Sequence, residues 1–187
     1  IHQLSSKDSM PAFLRSPEGQ KYAAEFKGRS AGSAEFNAIY KKVAAADPQG
    51  FADAQYGYYS RTHFKPVLEH ARALGYDVED RGVQEALFSI SVQHGGAKKI
   101  VSGAKAAAVG KDPAGQVVAL FERRAEYVGG VALPAETKAS VLNRYRSEVK
   151  DALKYAGQKA APAGEVKVAS LGGAVPAGAE PEQPAPS

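Results

Sequence analysis

Residues 80–96, Asp-Arg-Gly-Val-Gln-Glu-Ala-Leu-Phe-Ser-Ile-Ser-Val-Gln-His-Gly-Gly, decide the fold. Val83, Leu87 and Ile90 recur at helical spacing, and Phe88 and Val92 adjoin them, so a helix from about Asp80 to His94 is apolar on most of its sides. A helix of that kind is surrounded by others, which makes it the buried centre of the domain. Gly95-Gly96 ends it.

Working outward, the flanking segments are helical too. Ser9 can cap a short helix with Phe13 and Leu14 inward, and Pro17 can open a second one through Phe26. Ser33 caps a helix carrying Phe36, Ile39, Tyr40 and Val43. Asp47-Pro48 and Asp112-Pro113 are both a cap followed by proline at the first helical position. The first starts a helix with Phe51, Gln55, Tyr58 and Tyr59. The second starts one to about Val128, with Val117, Leu120, Phe121 and Ala125 inside and Gly129-Gly130 as its break. A helix from about His63 stops at Gly75, and an Ala-rich one covers 97–109. Pro134 opens the last, to Tyr155, with Val141, Leu142, Tyr145, Val149 and Leu153 as its buried stripe. The expectation is an all-α, compact orthogonal bundle of about seven or eight helices over residues 1–157, with one short strand signal at 166–171. Residues 158–187 turn to Ala, Gly, Pro and Glu, which bury too little apolar surface to offset ordering entropy, and read as a disordered tail or linker.

Composition narrows the chemistry. The 187 residues include no cysteine, so thiol catalysis, disulfides and thiolate metal sites are excluded. The four histidines, His2, His63, His70 and His94, show no zinc-protease spacing. No Walker loop, dinucleotide fingerprint or nucleophile elbow occurs, and no apolar run approaches the roughly 20 residues of a membrane span. The net charge of +4 suits an anionic partner such as the bacterial wall, but no helix concentrates Lys and Arg on one groove-facing stripe, which ranks nucleic acid last. The opening Ile1–Ser6 has neither an initiator Met nor signal-peptide character, so the chain reads as cut from something longer or processed.

Three runs could carry function. In residues 89–96, polar Gln93 and His94 end an apolar helix; they either line a cleft or are satisfied core groups at a helix C-terminus. Glu122, beside Phe121, is either a carboxylate at a cleft edge or part of an ion pair with Arg123 or Arg124, or of a surface network with Glu126 and Arg144. Gln55, Tyr56, Tyr58, Tyr59 and His63 combine rings with amides, a mixture that suits sugars but also simply packs. The stretch from Asn143 to Glu148 reads as a structural face.

Taken in order, Phe51-Ala-Asp-Ala-Gln55, Thr62-His-Phe-Lys-Pro66, Ser91-Val-Gln-His-Gly95, Phe121-Glu-Arg123 and Asn143 through Glu148 resemble a known family. It is the lysozyme-like C-terminal domain of type VI secretion spike proteins and related phage hydrolases, akin to chitosanase-type glycoside hydrolases. The resemblance spans roughly residues 1–155. It implies a muramidase-like hydrolase of peptidoglycan glycan strands, made in the bacterial cytoplasm and acting in the periplasm or wall of a target cell. The alternative is a non-catalytic wall-binding or structural module of a spike or virion. Gln3, Gln55, Tyr59, His63, Gln93 and His94 would bind the glycan, with Glu122 a supporting carboxylate. Residues 1–6 look like the tail of the family's catalytic motif, so its principal acid is expected ahead of Ile1. The implied partners are peptidoglycan strands, a spike or virion parent and an immunity protein; neither a metal nor another cofactor is implied.

Overall fold

A computed structural model describes residues 9–93, Gln93 by its backbone alone, and residues 96–160. The chain is all-α, and among the described residues an isolated antiparallel bridge, Asp80 with Lys159, is the one β feature. Two compact units divide between Thr62 and His63. The strand signal at 166–171 and nearly all of the expected tail fall outside the described residues.

The first unit contains α1 (Ser9–Arg15), a 3-10 turn (Gln20–Tyr22), α2 (Ala23–Phe26), α3 (Ala34–Ala46) and α4 (Pro48–Tyr59). Phe51 organises its core, with ring edges meeting Phe13 at 6.1 Å, Tyr22 at 4.8 Å and Tyr40 at 5.2 Å. The caps are as the sequence suggests: Ser33 Oγ accepts from Phe36 N at 3.1 Å, and Asp47 Oδ1 from Gly50 N at 3.0 Å. Pro17 does not open a helix. Instead Ser16 folds the chain back, donating from Oγ to Phe13 O and accepting from Gly19 N. Gly19 fits only because it lacks a side chain, since a Cβ would lie 2.1 Å from Phe13 O.

A π turn, Ser60–Phe64, carries the division between units and replaces the expected start of a helix at His63. Thr62 Oγ1 donates to Tyr58 O there, one of the local bonds by which serine and threonine disturb a helical ladder. The second unit then runs through α5 (Lys65–Leu74), α6 (Arg81–Gln93), α7 (Ala97–Ala108), α8 (Pro113–Gly130) and α9 (Ala135–Leu153). Gly75, at φ 94°, closes α5 in the left-handed region. Gly129 and Gly130 do not break α8 but form its last residues.

The centre of this unit is α6, which packs on α5, α7, α8 and α9 and is buried at every position from Gly82 to Ser91. Asp80 caps it, accepting from Val83 N at 3.0 Å. The same carboxylate accepts from Gly157 N at 2.7 Å, which ties the end of α9 to the start of α6. Arg81 stacks 3.7 Å above the Tyr155 ring, and Ala160 N donates to Glu79 O at 2.7 Å. Residues 158–160 therefore pack on the folded unit.

Candidate functional site

The stripe Val117, Leu120, Phe121, Arg124 and Val128 faces inward on α8, so a guanidinium occupies a position whose spacing calls for an apolar side chain. Arg124 is fully buried, at 0% exposure. A lone charge there would cost several kcal/mol, so it must be paired. Glu148, from the inward face of α9, supplies the pair at 2.6 Å. Ser89 of α6 completes the node: its hydroxyl donates to Glu148 Oε2 at 2.7 Å and accepts from Arg124 at 3.0 Å. The guanidinium also lies 3.8 Å above the Tyr145 ring. Burial pushes the Glu148 carboxyl up, but the Arg124 charge and the hydrogen bonds from Ser89 and Arg124 outweigh it and hold the carboxyl below its ordinary value. Three runs singled out in the sequence thus converge on one sealed cluster. Ser89 and Glu148 are both buried, and the cluster joins α6, α8 and α9.

The expected partners of Glu122 are taken by others. Arg124 binds Glu148, and Arg123 binds Glu126 at 2.8 Å. Glu122 is exposed, on the rim of a groove between α8 and α9. It is the one carboxylate in the lining of that groove, whereas glycoside hydrolysis ordinarily places two across the scissile bond.

Gln55 and Tyr59 are one helical turn apart on α4, and both are buried. Both ends of the Gln55 amide are used inside the first unit: Nε2 donates to Phe51 O and Oε1 accepts from Tyr40 Oη, each at 3.2 Å. Tyr59 packs against the Tyr58 ring at 6.1 Å. His63 lies in the second unit, half-buried in the π turn, where desolvation lowers its pKa and favours the neutral ring. Gln3 and His94 lie outside the described residues, as does the side chain of Gln93.

One carboxyl escaped the sequence reading. Glu85, one turn before Ser89 on α6, is 93% buried by its 7% exposure, and burial raises its pKa against the opposing charge of Arg81, 3.8 Å away. Its sequence signal is a charge inside a helix apolar on most of its sides. Among the described residues, no group of three or more His, Asp or Glu is placed to hold a metal ion.

Residues 1–149 match the family model described as type VI secretion system spike protein VgrG3-like, C-terminal. A curated relative, the type VI secretion system spike protein VgrG3 of Vibrio cholerae serotype O1, is 28% identical over 86 residues. That alignment covers 45% of this chain and 8% of the relative, so the chain spans a small part of that protein. No solved structure matches.

Proposed function

The chain belongs to the family of C-terminal domains of VgrG3-like type VI secretion spike proteins, and from that membership we propose that it acts on the glycan strands of peptidoglycan as part of a muramidase-like hydrolase. The observation that carries the reading is the family match over residues 1–149, which contains every run that resembles a lysozyme-like domain. A spike protein delivers what it carries into another cell, and the polymer a muramidase cuts lies in that cell's wall. No described helix is long and apolar enough to cross a membrane.

Within this reading, desolvation of the half-buried His63 favours its neutral ring, whose one donor and one acceptor suit sugar hydroxyls. Gln3, Gln55, Tyr59, Gln93 and His94 are the other residues that the resemblance assigns to glycan binding. The internal bonding of Gln55 and the solitary Glu122 favour a second reading, a wall-binding or structural module without turnover. Incubation with purified sacculi separates the two. Hydrolase function predicts that the chain sediments with sacculi and that, within a longer polypeptide carrying the acid the resemblance implies, it clears them. Sedimentation without clearing in any form leaves the binding module, and failure of both removes the wall as the target.

A further inference from the structure

Burying Arg124 and Glu148 fixes the rotation of α8 and α9 and turns other apolar residues outward. Val118 and Ala125 of α8 and Leu142 and Val149 of α9 line a groove of about 360 Å³, floored by Phe121 and Tyr145. Val118 is 37% exposed, among the most open large apolar side chains described. Each wall carries one exposed charge of opposite sign, Glu122 on α8 and Arg146 on α9. Among the described residues neither makes an ion pair: Glu122 has no polar partner, and Arg146 donates to the Asn143 amide at 3.2 Å.

We propose that this groove is a self-association surface, in which the α8–α9 hairpins of two copies pack about a two-fold axis. A two-fold operation sets residue i against j and j against i. Opposite charges on the two rims are therefore complementary to a second copy: Glu122 meets Arg146 of the partner subunit, and the reciprocal pair forms beside it. Val118, Leu142 and Val149 of both copies close over one another between these pairs. Two antiparallel hairpins then make a four-helix arrangement with a shared apolar seam. A contact confined to one hairpin is small, so the dimer is transient and concentration-dependent. The inference is independent of the wall-hydrolase reading.

Sedimentation velocity and light scattering on the 187-residue chain, from micromolar to millimolar, test it. The average mass should rise toward that of two chains. Val118→Arg, at an already exposed position, and Leu142→Arg should hold it at one chain, with unchanged circular dichroism confirming the fold. Glu122→Arg or Arg146→Glu alone should weaken the dimer about tenfold or more, and the two together should restore it. A one-chain mass at every concentration overturns the proposal. So does a dimer indifferent to Val118→Arg, or one that the paired reversal fails to restore.

Discussion

Arg124 and Glu148 stand where helical spacing invites aliphatic side chains, and their pairing is worth most when one partner is removed. Arg124→Ala leaves the buried Glu148 carboxylate with only the partly exposed Arg144, 3.4 Å away, as an ion-pair partner and should cost about 3–5 kcal/mol in urea denaturation. Arg124→Met combined with Glu148→Leu removes both charges and should cost far less than the two single changes added together. Additive losses would show that the pair is not the unit. The two buried carboxyls bend the pH profile in opposite directions. Glu148, held below its ordinary value of 4.5, stabilises the fold above that value, and the contribution is lost as pH falls through its depressed pKa. Glu85, raised above 4.5, favours the fold most below that value and loses this contribution as pH rises through its elevated pKa. Glu85→Gln should therefore raise the melting temperature at pH 7 relative to its effect at pH 4; an equal effect at both would show that Glu85 does not titrate in this range. The sequence exposed Ser89, Arg124 and Glu148 as members of unusual runs. It could not join them, because Ser89 and Glu148 are 59 residues apart and a helical stripe admits more than one rotation.

That rotation is the chief difference at the scale of elements. Spacing on α9 put Val141, Leu142, Val149 and Leu153 inside beside Tyr145, yet the buried residues are Tyr145, Glu148 and Ala152 and the others are half-buried. On α8, likewise, Arg124 is inward and Ala125 half-buried, where apolarity alone chose Ala125. Caps were legible because they are local: a Ser or Asp side chain three residues before a free backbone N–H suffices. The π turn was not, since the sequence there continues a helical run with no Gly or Pro to mark a change of ladder. The α6–α9 contact shows how little space separates two helices. A Cβ on Gly82 would lie 2.8 Å from Ala152 O and from Ala156 N, both backbone atoms that cannot swing aside. Gly82→Ala should therefore destabilise by about 1–3 kcal/mol, despite the better helix propensity of alanine. A neutral or stabilising result in chemical denaturation would mean that α9 yields freely at its C-terminal end.

At the scale of the whole chain, the all-α class was readable because 3.6-residue periodicity and cap signals recur from residue 9 to residue 155. The division between Thr62 and His63 was not readable, because no Pro-, Gly- or Ser-rich linker marks it and the backbone stays helical through it. The family was legible in the order of five short runs, three of which contribute to or adjoin the Arg124 node, so part of what identifies the family serves its fold. The runs speak less clearly about catalysis. Among the residues expected to touch glycan, Gln55 is spent on Phe51 and Tyr40, and Glu122 faces a groove lined by no second acid. The claim of glycan cleavage is tested most directly by identifying the new ends made in purified sacculi, through borohydride reduction and mass spectrometry of the soluble products. The assay takes the 187-residue chain alone and within a longer polypeptide carrying the carboxylate segment that the resemblance places ahead of residue 1. The account predicts muropeptides with new reducing sugar ends from the longer form and none above background from the chain alone. Intact glycan strands with cleaved peptide stems, or no soluble product from the longer form, would contradict it.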